Sequence, residues 1–328
     1  MTKKGISVVI PNYNGKQLLA QVLPPLFVAL QHAGLPYEII ISDDASRDDS
    51  IAFLQSHYPQ VKLICNKENR GFSPNINKGI FAAQYDYVLL LNSDVKLLPG
   101  YFQPLLRYFE KGDTFGVMGR IVGWQDDDIQ DAAKYPAFHG AKIKTSGNYY
   151  LANPSGNDWL YSMYLSGANA LVDRKKLQDL GGFNELFAPF YIEDFELSLR
   201  AWRMGWKCYY EHTAVCRHQT STTIASGFKK ENIKKIYNRN KMYMHAIHLN
   251  GWKRFLWFLQ LFLESIVQLV MFKKHFAKAL FLFLSTYKNV GDSRAKLLQL
   301  ANGKHLLSVN KVVEEILNSI KGEKIVRF

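Results

Sequence analysis

The chain is poor in cysteine and short of acid. Cys65, Cys208 and Cys216 are its three cysteines, an odd number at spacings that match no zinc-binding pattern. A zinc-held fold and a disulfide framework are therefore set aside. Free thiols in a reducing compartment are expected, with a Cys208–Cys216 bridge the one pairing left for an oxidising setting. Acidic residues number 28 against 41 lysines and arginines, a formal net charge of +13. That balance favours anionic partners such as phosphorylated small molecules, acidic lipid or nucleic acid, without choosing among them. No glycine-rich dinucleotide fingerprint follows the first apolar run and there is no P-loop, which argues against a dehydrogenase or a kinase-like NTPase. No nucleic-acid motif accompanies the charge, so nucleic acid is not expected as a partner. Repeats and low-complexity tracts are missing. The opening MTKKGISVVIPNYNG lacks an apolar stretch followed by a small-residue cleavage site, so a cytoplasmic setting is expected.

What is present is apolar and ordered. The sequence is 48% hydrophobic, enough for a substantial core. Four β-branched or leucine-rich runs, Ile6 to Ile10, Tyr37 to Ile41, Val61 to Cys65 and Tyr87 to Leu91, alternate with helix-length stretches such as Leu18 to Ala33 and Ser50 to His57. Strands alternating with helices predict a parallel sheet with helical crossovers, and near-continuous apolar strands predict burial on both faces. Each run ends in polar residues, at the edge where open α/β sheets bind ligands. Lys111 to Trp159 reads as loop-rich. Strand signals return at Leu165 to Val172 and Lys207 to Val215, with a helix around Asp194 to Met204.

The polar residues at these ends have bland readings beside the chemical ones. Asp43 and Asp44 suit the cap of a helix beginning near Ser46 to Asp49, or recognition of a nucleobase or ribose. Asn92-Ser93-Asp94 suits a plain turn, or a carboxylate holding a divalent cation that carries a diphosphate. Glu193 and Asp194 suit the first turn of a helix, or a general base for an attacking hydroxyl. Glu196 can pair with Arg200 one turn on, and His218, close to a strand end, is either an ordinary histidine or a metal ligand.

Taken in order, SVVIPNYNG (7–15), IISDDASRDDS (40–50), NKENRGFSPNINKGI (66–80), YVLLLNSDV (87–95), the segment LSGANALVDRKKLQDLGGFNELFAPFYIEDFELSLRAWRMG (165–205) and the AVCRH ending at His218 resemble glycosyltransferase family 2. The resemblance spans roughly residues 5–240 and implies the GT-A fold, a Rossmann-like, mostly parallel sheet flanked by helices. It implies a catalytic domain over 1–240, with a C-terminal helical region, 241–328, appended. It further implies an inverting hexosyl or deoxyhexosyl transfer from a nucleotide-diphosphate sugar, with Mn²⁺ or Mg²⁺, in cell-surface polysaccharide or glycolipid assembly. By the same resemblance Pro11 and Tyr13 flank the donor's base and Asp43 contacts it. Asn69 and Gly71 line the nucleotide pocket. Asn92, Ser93 and Asp94 form the DXD-like motif, Asp94 and His218 hold the metal, Asp194 is the base, and Glu193 orients the acceptor or that base. Asn92 departs from the family pattern, because an amide stands where the first acid belongs; a catalytically silent nucleotide-sugar binder is the alternative this favours. No QxxRW segment of the processive members occurs, so single-sugar transfer is expected.

The tail differs in character. Phe255 to Phe272 is apolar almost all round, with Glu264 its only charge and Lys253, Arg254, Lys273 and Lys274 at its flanks. It is short for a spanning helix, and a mid-span Glu264 would cost about 3 kcal/mol on insertion scales. A helix lying on the membrane, a hydrophobic hairpin, a helix buried against the catalytic part or in a dimer, and a span all remain open. Membrane contact through 252–284 would place the protein at the inner face of the cell membrane, with a saccharide or lipid-linked saccharide as acceptor.

Overall fold

The computed structural model describes residues 3–154, 159–219, 229–301 and 305–328. The N-terminal half alternates strand and helix: β1 (Ile6–Asn12), α1 (Lys16–Ala33), β2 (Tyr37–Asp43), α2 (Ser50–His57), β3 (Lys62–Cys65), α3 (Phe72–Ala82), β4 (Tyr87–Leu91) and β5 (Val95–Leu97). Next come α4 (Phe102–Leu106), β6 (Thr114–Gly123), β7 (Ile129–Asp131), β8 (Ala133–His139), β9 (Lys142–Leu151), β10 (Leu160–Tyr161), β11 (Asn169–Asp173), α5 (Arg174–Asp179), α6 (Glu193–Arg203) and β12 (Lys207–His218). The C-terminal part holds α7 (Lys230–His248), α8 (Gly251–Val270), α9 (Lys274–Ser285), α10 (Tyr287–Leu300), α11 (Val309–Ser319) and β13 (Ile325–Arg327).

The main sheet runs β10-β12-β6-β11-β4-β1-β2-β3. β1 pairs in parallel with β2 and β4, β2 with β3, and β6 with β12, while β11 runs antiparallel between β4 and β6. Successive side chains on a strand face opposite ways. Val9, Ile40 and Leu90 therefore enter one core, while Val8, Ile10, Ile41, Leu89 and Leu91 enter the core on the other face. Helix α1 covers the second core with Leu19, Leu23, Leu26 and Leu30, and α3 covers the first with Ile76 and Ile80. Gly79 lets α3 come close to the sheet: a Cβ there would lie 2.4 Å from Val9 Cγ1. The C-terminal helices pack on this first core as well, through Met242, Trp257, Phe283, Val290 and Val312.

The region read as loop-rich is instead largely strand. β6 and β7 join the main sheet, and β8, β9 and β13 form a second, three-stranded sheet. The signal is hidden because glycines interrupt β6 (TFGVMGRIVG) and lysines interrupt β9 (KIKTSGNYYL). Residues 155–158 of that region lie outside the described residues. β12 continues past Val215 to His218, across a bulge between Glu211 and Val215. Cys208 and Cys216 are buried, free, and on this one extended strand, which keeps them apart.

Candidate active site

The parallel strands all end at one edge, and the polar residues predicted there meet in three groups. In the first, Asn12 closes β1 opposite Asp43 at the end of β2. Asp43 is fully buried and is not a helix cap, since α2 starts only at Ser50. Its Oδ1 accepts from the Ser46 N–H (2.8 Å), and its Oδ2 accepts from Ser46 Oγ (2.6 Å) and Asn12 Nδ2 (2.7 Å). Asp44 accepts from the Arg70 N–H (3.0 Å), the Gly71 N–H (2.8 Å) and Asn66 Nδ2 (2.8 Å). It thereby sets the loop that carries exposed Asn69 to the start of α3. Gly71 has φ +88° and a Cβ there would lie 2.8 Å from Pro189 Cα, so the position needs glycine on both counts. Pro11 and half-exposed Tyr13 flank this floor.

The second group is the turn Asn92–Val95, closed by the Val95 N–H donating to the Asn92 carbonyl (3.2 Å). β5 pairs with the end of β12, placing His218 opposite Val95. His218 Nε2 lies 3.6 Å from Asp94 Oδ2, and its Nδ1 is 3.0 Å from Gln130 Oε1. Asp94 Oδ1 and the neighbouring Gln219 Oε1 are buried without a hydrogen-bond partner among the described residues. Buried acceptors left unpaired are costly, and a cation is one group that relieves them. Among the described residues no group of three or more His, Cys, Asp or Glu side chains is placed to hold a metal. Two protein ligands still fit a hard divalent ion whose other sites are taken by diphosphate oxygens and water. Ser93 Oγ faces the start of α1, 3.7 Å from where a Gly15 Cβ would stand.

The third group opens α6. Tyr191 (φ +76°) and Ile192 (φ +72°) are both left-handed, an unusual state for a β-branched residue and the kind of strain that gathers at functional sites. Asn240 of α7 pins this loop, its Nδ2 donating to the carbonyls of Phe187 (2.7 Å), Phe190 (3.0 Å) and Tyr191 (2.8 Å). Glu193, buried, and Asp194, half-buried, follow. Burial, then the neighbouring Asp194 charge, drives Glu193 well above the usual carboxylate range. Burial also raises Asp194, opposed by the Phe195 N–H (2.7 Å to Oδ1) and by the Lys134 charge. Two carboxyls this close disfavour each other's charge, and both are raised from their ordinary values. Lys134 is pulled down to about 7 by burial, with Asp131 paired to its ammonium and Asp194 opposing the shift. Beside the pair lies a cavity of about 300 Å³ lined by Lys144, Thr145, Tyr164, Tyr191, Tyr237 and Lys241 among others. The groups are bridged: the Asn92 N–H donates to the Ala168 carbonyl (3.1 Å), and a Cβ on Gly167 would lie 3.9 Å from Asp194 Cβ.

A family model described as glycosyl transferase family 2 matches residues 7–181. The chain belongs to that family. Its relatives within and around family 2 include an N-acetylglucosaminyl-diphospho-decaprenol L-rhamnosyltransferase of Mycobacterium tuberculosis, 25% identical over 243 residues, 66% of this chain and 77% of the relative. An undecaprenyl-phosphate 4-deoxy-4-formamido-L-arabinose transferase of Pseudomonas savastanoi is 34% identical over 129 residues, 38% of this chain and 37% of its own. A dolichol-phosphate mannosyltransferase of Pyrococcus furiosus is 31% identical over 120 residues, 36% and 33% of the two chains. Among solved structures, GalNAc-T7 with UDP, GalNAc and Mn²⁺ superposes with a TM-score of 0.62 at 15% identity, covering 97% of this chain and 57% of that one. A mannosyltransferase from Pyrobaculum calidifontis with GDP-Man and Mn²⁺ gives 0.53 at 14% identity, covering 97% and 85%. These likenesses show the fold, which is GT-A.

The family match ends before Glu193, Asp194 and His218, so for those three the geometry above is the independent observation. Glu196, by contrast, lies in a closed network: Arg200 Nε donates to its Oε2 (3.0 Å), and His248 Nε2 is 3.3 Å from its Oε1. Sequence reasoning missed Asn12, Lys134, Gln219 and Asn240. Of these, only Asn12, inside the first motif, carried a local signal.

Proposed function

We propose that this glycosyltransferase moves a single sugar from a nucleotide-diphosphate sugar to an acceptor hydroxyl with inversion, and that Asp194 is the base. The observation that carries the reading is the placement of the Glu193–Asp194 pair on the wall of a cavity, one loop away from the Asp94–His218 pair. The acceptor hydroxyl sits in that cavity and gives its proton to the Asp194 carboxylate. Its oxygen lone pair forms the new bond to the anomeric carbon as the bond to the phosphate oxygen breaks, and that electron pair leaves on the nucleotide diphosphate. One displacement from the opposite side inverts the carbon. Glu193, whose Oε2 is buried with no hydrogen-bond partner among the described residues, lines the same cavity and orients the acceptor or the base.

Pro11, Tyr13, Asn69 and Gly71 border the nucleotide, and fully buried Asp43 fixes Asn12 and the Ser46 turn in the floor beneath its base. Asp94 and His218, flanked by Asn92 and Ser93, would hold Mn²⁺ or Mg²⁺, which when bound supplies positive charge to the leaving diphosphate. Relatives named for decaprenol, undecaprenyl-phosphate and dolichol-phosphate substrates support a lipid-linked saccharide acceptor, work at the inner face of the cell membrane and a place in cell-surface glycan assembly. Residues 1–240 carry the catalysis in this reading, and 241–328 support the acceptor side.

The test is thermal stability against a panel of nucleoside diphosphates and their sugars, with Mn²⁺ or chelator, for the native chain and Asp94→Ala. A ligand at ~100 times its Kd stabilises by about 2.7 kcal/mol. Stabilisation by one base class that needs metal and disappears in Asp94→Ala is the expected result. A folded protein that no nucleotide stabilises would return the reading to the silent binder.

A further inference from the structure

The sequence leaves Glu264 as an obstacle to placing α8 against lipid, and the structure removes it. Glu264 and Gln260 turn inward onto the β8–β9 hairpin. Glu264 pairs with Lys142, while Gln260 Oε1 accepts from the Ala141 N–H (2.8 Å) and its Nε2 donates to the His139 carbonyl (3.1 Å). Trp257, Leu261 and Ser265, at four-residue spacing, face the core on the same side. What α8 leaves outward is wholly apolar: Phe255, Leu259, Phe262 and Ile266 form one row, with Leu263 and Val270 beside it. The turn into α9 extends the surface with Met271 and Phe272, the latter left-handed (φ 52°) and 86% exposed. Monomeric proteins seldom leave so long an apolar strip uncovered. No helix among the described residues is long and apolar enough to cross a membrane.

We propose that this face is a docking surface for an anionic lipid bilayer, with α8 lying in the headgroup–acyl boundary and the Met271–Phe272 turn inserted at its end. Charge selects the occupant. Residues 232–291 contain ten lysines and arginines and a single acid, Glu264, which is already neutralised by Lys142. Lys273 and Lys274 stand exposed at the turn, and Lys278 and Lys288 beyond it, the arrangement that draws an amphipathic helix to acidic headgroups. A second copy of the chain laid on this face would bring the same positive rim against itself, which disfavours a dimer here. The contact also has a consequence for the acceptor: Lys142, clamped to α8, directly precedes Ile143, Lys144 and Thr145, which line the cavity beside Asp194. A lipid-linked acceptor would then reach the base from the bilayer side. That consequence rests on the transferase reading; the docking does not.

The test is flotation of the full chain with phosphatidylcholine vesicles, with and without phosphatidylglycerol, at low and high salt, beside gel filtration without lipid. Leu263→Glu/Phe272→Glu breaks the apolar face, and Lys273→Glu/Lys274→Glu changes the charge alone. Expected is binding to the phosphatidylglycerol vesicles that falls about tenfold or more in either variant and at high salt, with the melting temperature unchanged. Equal binding by parent and variants, no binding to acidic vesicles, or a lipid-free dimer that the apolar-face variant dissociates would each overturn the proposal. The nucleotide-dependent melting shift is read on the same samples without lipid, so a failed docking and a failed transferase reading are told apart.

Discussion

Helix α6 carries two kinds of buried acid within one turn. Glu196 is fully buried and fully answered: burial would raise it, but Arg200 and His248 outweigh that and hold it below the usual carboxylate range. Arg200 Nη1 and Nη2 donate to the Leu180 (2.6 Å) and Gly182 (2.8 Å) carbonyls, so the group staples α6 to the loop before it. Glu193 is also buried and Asp194 half-buried, yet among the described residues Glu193 Oε2 has no hydrogen-bond partner, both carboxyls are raised from their ordinary values, and both line an open cavity. Burial is common to both, so burial alone does not mark a working acid. A partner that neutralises the charge makes an acid structural, and the lack of one leaves it poised to take a proton.

The sharpest break of that comparison is Glu196→Gln. It leaves Arg200 buried without its counter-charge, and about 3–5 kcal/mol of stability is expected to go, read by denaturant unfolding. The molecules that remain folded should still turn over. Asp94→Ala acts at the other end of the site: nucleoside diphosphate release from the donor should fall by about 10²–10³, while unfolding in the absence of nucleotide barely changes. Asn240→Ala strips three loop carbonyls of their donor. A cost of about 1–3 kcal/mol is expected, together with a kcat loss out of proportion to any change in KM, because the strained turn before Glu193 loses its pin.

The smallest expected effect is Lys134→Met. Asp194 works deprotonated, and the Phe195 N–H and then the Lys134 charge lower it against burial. Removing that charge raises Asp194, so the acid limb of the pH–rate profile should move to higher pH. A limb that stays in place would separate Lys134 from the base.

How far the sequence reaches follows from how local each cause is. The strands that end in Asn12, Asp43 and Asn92 are legible because an apolar run stopping at a polar cluster is a local pattern, and the ordered motifs from residue 7 to His218 point to one family. The β8–β9 hairpin is not legible, since lysines break its alternation and its partner β13 lies at the far end of the chain. Nor is the setting of Asp194: Lys134 and Asn240 come from other elements far along the chain. Glu264 is the clearest case. Its charge is visible in the sequence, but whether it faces lipid or Lys142 depends on how α8 rotates against a hairpin the sequence hides.

The most direct test measures turnover and melting temperature together for Asp194→Asn and Glu196→Gln. Asp194 has a folded-state pKa raised by burial, so above that pKa its ionised form weakens the fold. Asp194→Asn should therefore lose about 10²–10⁴ in kcat while melting no lower than the parent at neutral pH, a difference that closes as acid protonates the parent. Glu196→Gln should do the reverse, melting lower with turnover kept. Near-normal turnover by a folded Asp194→Asn, or a Glu196→Gln that melts like the parent but is inactive, would contradict the division of labour on α6.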